Sequence, residues 1–280
     1  MNKTGKIVAI VLLSILSLGL VGLLCIALAN PFNWNINFGI TSGRSTNLAL
    51  EQSYNFDEVN TIRVNSNASD VIVRHTSGED DRVGLKIYDD KNNGEAIIND
   101  GVLDVKMEQE GCHGFWNSCR LSVLELSLPE KYAGSFDITT NAGDIEIADY
   151  TNANLVLTTN AGDIKTGDLK LAKINANAGD VKISRIEQLE ISADAGDIDV
   201  LECYGRINLT THAGDISIED LALTEDSYIS TSAGDIEISN VGDVQVDAHT
   251  DVGDHEIRGG KSDAEVKLRV MTNFGDIDIR

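Results

Sequence analysis

From Phe136 to Arg280 the sequence alternates apolar and polar residues in short stretches, and a Gly-Asp or equivalent step interrupts the alternation eight times. Before each glycine the apolar residues occupy odd positions counted backwards, as Leu155 and Leu157 do before Gly162. After the glycine they occupy even positions, beginning with Ile164. Period-two alternation predicts a strand with one buried face, and a continuous strand cannot exchange its faces midway. The pattern therefore predicts a corner or bulge at each glycine, where positive φ costs little.

The interrupting phrase recurs every 17 to 22 residues, which indicates stacked structural repeats. Six copies are clear (NAGDIEI, NAGDIKT, NAGDVKI, DAGDIDV, HAGDISI and SAGDIEI), and two looser ones, DVGDHEI and NFGDIDI, close the array. The alanine before six of the glycines continues the series of positions predicted to be buried. Each repeat is predicted to hold a longer strand, the corner, a short Ile-x-Ile strand and a variable stretch. The eight glycines are Gly143, Gly162, Gly179, Gly196, Gly214, Gly234, Gly253 and Gly275.

We predict from this pattern an all-β fold, a parallel β-solenoid of the single-stranded β-helix type with about 19 residues per coil. A sandwich of antiparallel hairpins is the rival fold. It gives no reason for the same residue to recur at the same corner, whereas stacked coils place identical side chains above one another. The solenoid is therefore favoured.

The first 29 residues are predicted to be a cytoplasmic stub and a transmembrane helix. The segment from Ile7 to Ala29 has 23 residues without a charge, and as a helix it would span about 35 Å, enough for a bilayer. Lys3 and Lys6 precede it and no basic residue follows until Arg44, so the remainder of the chain is expected outside the cytoplasm. A cleaved signal peptide is the alternative, although the apolar segment is longer than a signal core.

The rest of the chain divides into three predicted segments. Residues 30–53 form a polar linker, 54–135 form the first coils and a cap, and 136–280 form the repeat solenoid. Within the cap, NASDVIV at Asn67–Val73 is a degenerate copy of the repeat with Ser69 in place of glycine. The final repeat stops at Arg280 with no obvious cap beyond it.

The amino-acid composition indicates an acidic fold with a narrow hydrophobic core. The net charge is −23, aromatic residues make up 5% of the chain and there are two prolines, which fits narrow aliphatic coils better than a globular enzyme pocket. An acidic surface disfavours nucleic acid and anionic lipid, and it favours cations, basic partners or solubility alone.

Cysteine and aromatic residues provide two local candidates. Cys112 and Cys119 flank the loop CHGFWNSC, where a disulfide or free thiols are expected ahead of a zinc site that would include His113. Phe115 and Trp116 in the same loop are the candidate contact patch. Cys203 is expected to fill the core.

The aspartate that follows the corner glycine poses a chemical question, because stacking brings like charges about 4.8 Å apart. The repulsion costs about 0.9 kcal/mol per pair in water and about 3.5 kcal/mol at an effective dielectric near 20. One hypothesis is that each carboxylate caps backbone N–H groups at its own corner while a neighbouring asparagine column adds hydrogen bonds. The other is calcium bound between coils. The predicted column is Asp144, Asp163, Asp180, Asp197, Asp215, Asp235, Asp254 and Asp276.

Motifs for catalysis are absent from the sequence: it has no phosphate-binding Gly-Lys-Ser/Thr, no nucleophile elbow and no zinc helix. The densest polar cluster, HTDVGDHE, is better explained as a degenerate coil in which His249 and Asp251 point outward and His255 replaces a buried isoleucine. We therefore predict no enzymatic activity and no cofactor apart from the calcium alternative.

The apolar N-terminal segment, the strand-rich leader and the NAGDI units together resemble the adhesin-like domain family of unknown function, which includes LiaG-like membrane proteins and toastrack domains. The resemblance covers about Tyr54 to Arg280. It implies a single-pass membrane protein whose β-repeat domain lies outside the cytoplasm and serves as a binding or sensory scaffold, adhesin-like or accessory to envelope stress. Envelope glycans or other envelope proteins are the expected partners, and nucleic acid is not. The alternatives are an enzyme that modifies envelope polysaccharide and a self-associating structural protein.

Overall fold

The computed structural model describes residues 44–76, 81–91, 93–108 and 121–280, which all fall within one compact unit. These residues form 21 strands and a single turn of 3-10 helix at Phe56–Glu58, so the fold is all-β. No helix in the described ranges has the length and hydropathy needed to cross a bilayer. The predicted anchor at residues 7–29 lies outside those ranges.

The strands fall into an N-terminal group and a repeat group. The N-terminal strands are β1 (Leu48–Asn55), β2 (Thr61–Ser66), β3 (Ser69–His75), β4 (Arg82–Tyr88), β5 (Gly94–Asn99), β6 (Val102–Met107) and β7 (Ser122–Leu128). The repeat strands are β8 (Ser135–Thr140), β9 (Ile145–Ile147), β10 (Tyr150–Thr159), β11 (Ile164–Thr166), β12 (Leu169–Ala178), β13 (Val181–Ala195), β14 (Ile198–Ala213), β15 (Ile216–Leu223), β16 (Ser227–Ala233), β17 (Ile236–Val241), β18 (Gln245–Val252), β19 (His255–Ile257), β20 (Lys267–Phe274) and β21 (Ile277–Ile279).

Equivalent residues of successive coils lie beside one another in parallel register. Leu155 pairs with Phe136 on one side and with Ala172 on the other, and across the corner Ile164 pairs with Ile145 and Val181. Strand segments before the corner form one sheet, called here the first sheet, and segments after it form the second sheet. The long strands β13 and β14 contribute to both sheets, because each runs from one corner to the next.

The buried face changes at the corner as the apolar pattern predicts. In β10 the buried residues from Ala153 onward are spaced by two and end at Thr159, and β11 resumes with Ile164 and Thr166 buried. The alanine before the glycine is not part of this series, however, since Ala161 and its equivalents in the next four coils are exposed. The alternation of buried and exposed residues therefore stops two residues before the glycine. The column of alanines predicts instead that it continues up to the residue directly before the glycine.

The coils do not stack in the order of the sequence at either end. β16 and β17 pair with β20 and β21, which in turn pair with β18 and β19, so the last coil of the chain lies inside the one that precedes it. At the other end β2 and β3 lie inside β6 and β7. The coil at the exposed C-terminal end of the stack is thus Gln245–Ile257, and not the final repeat as predicted.

Antiparallel strands cover the N-terminal end of the stack. β4 pairs with β7 and β1 pairs with β4 at the edge of the second sheet, while β5 pairs with β6 at the edge of the first. β1 begins at Leu48, inside the segment 30–53 predicted to be a linker, because its alternating residues pack against β4. Aromatic side chains fill the space under this cap, with Tyr132, Phe136 and Tyr150 in mutual ring contact.

Candidate functional site

The corner aspartates form a continuous ladder along the stack. The Oδ1 atom of each carboxylate except the last accepts the backbone N–H of the aspartate in the next coil, at 2.7 to 3.0 Å. The ladder has nine rungs in the order Asp70, Asp144, Asp163, Asp180, Asp197, Asp215, Asp235, Asp276 and Asp254. Asp70 is absent from the predicted column, although its position after Ser69 in the degenerate copy NASDVIV was the signal for it.

This geometry corrects the capping hypothesis, since each carboxylate caps the neighbouring coil's corner rather than its own. The neighbouring backbone also contributes: the Gly162 N–H donates to the Ala178 carbonyl at 3.0 Å, and the Ile164 N–H donates to the Asp180 carbonyl at 2.8 Å. A hydrogen bond to a charged acceptor contributes about 1.5–3 kcal/mol, against a repulsion between neighbouring carboxylates of about 0.9 kcal/mol in water and about 3.5 kcal/mol at an effective dielectric near 20. The hydrogen bonds therefore offset most or all of the repulsion along the column.

The two ends of the ladder differ. Asp70 is buried, and its second carboxylate oxygen accepts the Nε–H of Arg44 at 2.6 Å. Asp254 is exposed at the other end, and no coil beyond it in the described chain supplies an N–H group to its carboxylate. The ladder is thus closed by a cation at the capped end and open at the end formed by β18 and β19.

Metal binding by this column remains a prediction. In the ranges that the structure describes, no three His, Cys, Asp or Glu side chains are grouped closely enough to hold an ion. One oxygen of every rung but the last is already committed to a backbone N–H, which explains the recurrence of aspartate without invoking calcium.

An asparagine ladder runs beside the carboxylates, as the sequence predicts. The side-chain amides of Asn67, Asn141, Asn160 and Asn177 are linked in that order by hydrogen bonds of 2.9 to 3.2 Å. In the next coils Asp194 and His212 take over the column, with 3.2 Å between Oδ1 and Nδ1. These contacts are all on the surface and extend the cross-coil bonding to a second line of side chains.

The outward side of the first sheet, called here the outer face, is polar and repetitive. Its central column, read along the stack, consists of Asn65, Thr139, Thr158, Asn175, Ser192, Thr210, Ser230, Met271 and His249. The column beside it is tied across coils by ion pairs, for example Lys173 with Glu190 at 2.6 Å. Hydroxyl and amide groups are thus presented at the strand spacing of about 4.8 Å.

Shallow grooves open onto the surface of the stack. One of ≈ 570 Å³ crosses the starts of β16, β20 and β18 and contains Tyr228, Asn208, Arg269 and Asp247. Another of ≈ 330 Å³ lies on the second sheet and contains Lys165, Lys182 and Leu201, in a chain that is otherwise strongly acidic. Both are open rather than enclosed, so they suit an extended ligand better than a small molecule.

Several predicted site residues lie outside the described residues, and one lies in the core. Cys112, Cys119, Phe115 and Trp116 lie outside the described residues, so the disulfide and the contact patch stay predictions. Cys203 is fully buried in the core, where desolvation raises the pKa of its thiol to about 12 and leaves it unreactive.

The cluster HTDVGDHE lies in the exposed end coil. His249 and Asp251 point outward and lie 3.1 Å apart, as predicted. His255 occupies the position of a buried isoleucine but is exposed, because no further coil in the described chain covers it. The cluster therefore reflects the end of the stack rather than a site assembled from several elements.

A substitution within the ladder tests its contribution to stability. Asp180→Ala leaves the Asp197 N–H without its acceptor, so we expect a loss of about 2 kcal/mol in the free energy of unfolding. Asp180→Asn keeps an oxygen at that position and should stay within about 0.5 kcal/mol of the wild type. Asp254→Ala, at the open end, removes no such bond and is the matched control. Equal losses for the two alanine variants in thermal denaturation would contradict the ladder's role.

Comparison with known proteins identifies solved structures with a similar fold and the family of the chain. A solved structure of a "putative lipid binding protein" from Parabacteroides distasonis is 12% identical, with a TM-score of 0.51 over 85% of this chain and 99% of that one. A "putative adhesin" from Bacteroides fragilis is 16% identical, with a TM-score of 0.43 and the same two coverages. At such identities the similarity concerns the fold alone. Among curated proteins none matches the chain. The family profile named Toastrack DUF4097 matches residues 59–280, and the chain belongs to that family.

Proposed function

We propose that this protein is a non-enzymatic scaffold of the cell envelope, anchored in the membrane by residues 7–29 and exposing its β-solenoid outside the cytoplasm to bind or sense an extended partner. The observation that carries the proposal is the outer face. It presents hydroxyl and amide side chains in register over seven successive coils, from Asn65 to Ser230, a regular surface of the kind that repeat proteins use to bind extended ligands.

The charge of the chain limits the classes of partner that it can bind. With a net charge of −23, the surface repels nucleic acid, anionic lipid and polyanionic polymers. A neutral or cationic envelope glycan can instead exchange hydrogen bonds with successive rungs of the outer face. The open groove around Tyr228 adds an aromatic ring beside amide and charged side chains, which suits the mixed apolar and hydroxylated surface of a sugar.

Support for the membrane anchor comes from the sequence. Residues 7–29 carry no charge and have the length of a membrane span.

A binding experiment tests the proposal. We expect the full-length chain, solubilised in detergent, to cosediment with insoluble cell-wall glycan. Charges introduced into the central column by Ser192→Glu with Thr210→Glu should lower the affinity at least tenfold, a change of about 1.4 kcal/mol. The matched control, Thr151→Glu with Asn152→Glu, adds the same charge at two exposed positions outside the central column and outside both grooves, and should bind like the wild type.

Two results would count against this function. Failure of the wild type to bind any wall fraction, or equal binding by both double variants, would remove the outer face as the binding surface. New reducing ends released from the glycan during incubation would instead indicate the alternative, an enzyme that modifies envelope polysaccharide.

A further inference from the structure

A second groove, of ≈ 150 Å³, adjoins the groove around Tyr228 on the outer face. It crosses the starts of β12, β13 and β14, and Asn208 lines both grooves. The two together are called here the joined groove, which follows the stack from β12 to β18. Its length is marked by the column beside the central one, which consists of Lys173, Glu190, Asn208, Tyr228, Arg269 and Asp247. The joined groove therefore runs across the strands, and a ligand in it contacts one coil after another.

The joined groove differs in charge from the chain as a whole. Lys173 forms an ion pair with Glu190 at 2.6 Å, and Arg269 forms one with Asp247 at 3.4 Å, so these four side chains neutralise one another. The other charged side chains that line the groove are Arg206, Lys267 and Asp226. Two cations against one carboxylate leave a formal charge of +1, in a chain whose net charge is −23. A single ligand carboxylate would make the groove neutral.

Arg206 lies where the two grooves meet and is held in place by Asn208. With the Asn208 amide oriented to satisfy both of its ends, its oxygen accepts the Nε–H and an Nη2–H of Arg206, at 3.0 and 2.6 Å. Its nitrogen then donates to the Ile207 carbonyl at 3.0 Å. The Arg206 side chain is exposed and forms no ion pair with a carboxylate of the described residues. Its position is thus fixed by a neutral group, and its remaining N–H groups are available to a ligand.

Asp226 does not occupy this guanidinium, although it lies in the coil next to Arg206. Its Oδ1 accepts the backbone N–H of Lys267 at 2.9 Å, which directs the carboxylate toward β20 and away from β14. The positive charge of Arg206 therefore faces the groove without a counter-ion from the described chain.

We propose that the joined groove binds a sugar ring that carries a carboxylate, and that Arg206 binds this carboxylate through two hydrogen bonds. The planar guanidinium matches a carboxylate in bidentate geometry, and such charge-assisted bonds are stronger than neutral ones. Tyr228 lies one coil further along, with its hydroxyl 3.9 Å from the Met271 Sδ, so its ring leans over the neighbouring coil. This amphipathic ring offers an apolar face to the next sugar ring of the same glycan.

Charge also limits how acidic the ligand is. A polymer with a carboxylate on every ring would meet the acidic surface beyond the groove, where its charges are repelled. A glycan that is neutral apart from single acidic rings matches the one uncompensated charge. That the carboxylate belongs to a glycan rests on the proposed function, whereas the binding of an anion by Arg206 does not.

Fluorescence anisotropy with a labelled trisaccharide tests the proposal on the full-length chain in detergent. The probe has one glucuronate ring beside two neutral rings, and its comparison is the same trisaccharide with the carboxylate reduced to an alcohol. We expect the wild type to bind the acidic trisaccharide at least tenfold more tightly than the reduced one. The difference should shrink at high salt, because the groove is open to solvent.

Three variants assign this preference to Arg206. Arg206→Gln should bind both trisaccharides with about the affinity of the wild type for the reduced one. Asn208→Asp keeps the arginine but places a carboxylate against it, so the preference should again be lost. The matched control is Arg63→Gln, which removes a cation from the same column outside the joined groove, where Arg63 pairs with Asp137 at 3.2 Å. It should keep the tenfold preference, and all three variants should melt at the temperature of the wild type.

The outcomes separate this proposal from the proposed function. Equal binding of the two trisaccharides by the wild type, or a preference that survives Arg206→Gln, would overturn the role of Arg206 even if the chain cosediments with cell-wall glycan. Tighter binding of a tripeptide with the same single charge would assign the groove to acidic peptides and overturn the glycan as its ligand. Failure to bind either trisaccharide and every wall fraction would overturn both proposals together.

Discussion

Alanine in place of Gly196 is expected to lower the free energy of unfolding by about 4 kcal/mol or more. Gly196 has φ of +130°, a conformation that side chains other than glycine rarely adopt. A Cβ at this position would lie 2.1 Å from the carbonyl oxygen of Gly179 in the preceding coil. Both penalties arise from backbone, so no rotamer change relieves them. For a chain of this size the melting temperature should fall by about 8 °C or more.

Gly84→Ala is the matched control for this prediction. Gly84 lies in β4 without a positive φ, and a Cβ there would meet the Ser127 Cβ at an ordinary 3.6 Å. Alanine should leave the melting temperature unchanged or raise it slightly, because it restricts the unfolded chain. If differential scanning calorimetry finds similar melting temperatures for the two variants, the close approach of stacked corners does not limit stability.

The glycine at each corner made most of the coil predictable from the sequence. Only glycine fits where successive corners nearly touch, so it marks the same point of every turn. The change of phase in the apolar residues then identifies which side of each strand is buried. Ser69 shows the limit of this requirement: it replaces glycine in the coil β2–β3, where its partner in the outer strand β7 is Ser122.

The order of the coils could not be predicted in the same way. Every repeat offers its neighbours the same backbone edge, the same isoleucine column and the same aspartate, so nothing in a single repeat specifies which coil lies next to it. The exchange at the C-terminal end depends on the connections: β17 reaches β18 through residues 242–244, whereas 258–266 separate β19 from β20. The larger residues Val252 and Phe274, which replace alanine at the last two corners, were the available signal.

The direction of the aspartate bonds was predicted wrongly for a related reason. An aspartate after glycine commonly caps its own turn, and sequence supplies only that local geometry. In the stack, the nearest free N–H belongs to the adjacent coil, 2.7 to 3.0 Å from Oδ1, and the carboxylate binds it instead. Cross-coil contacts of this kind follow from stacking height, which an individual repeat does not encode.

Replacing Tyr150 by alanine is expected to lower the free energy of unfolding by about 4 kcal/mol, comparable to the effect of Gly196→Ala. Tyr150 is fully buried under the N-terminal cap, where its ring contacts Phe136 and Tyr132 at centroid distances of 5.6 and 6.4 Å. Its hydroxyl donates to the Arg74 carbonyl at 2.9 Å. Inner coils have Leu169 or a similar aliphatic residue at the same position, so the tyrosine fills extra volume where the repeats meet the cap.

Three substitutions separate these contributions in denaturant unfolding. Tyr150→Leu, which introduces the residue of the next coil, should lose about half as much stability as Tyr150→Ala, because part of the cavity is filled. Tyr150→Phe keeps the ring and should lose about 1 kcal/mol through the unpaired Arg74 carbonyl. If Tyr150→Leu proves as stable as the wild type, the cap does not depend on this aromatic contact.

The Tyr150→Phe variant also has a predicted pH signature. Burial raises the pKa of Tyr150 above its usual range, so the hydroxyl stays protonated in the folded chain after it has ionised in the unfolded one. The folded state then binds more protons above about pH 10, and its stability falls as the pH rises through that region. Tyr150→Phe should make this alkaline decline less steep. Burial also raises the pKa of Tyr132 and of Cys203, so part of the decline persists in this variant, and the variants of the corner and of the aspartate ladder should keep all of it. A decline of the same slope in Tyr150→Phe and the wild type would mean that other groups govern alkaline unfolding.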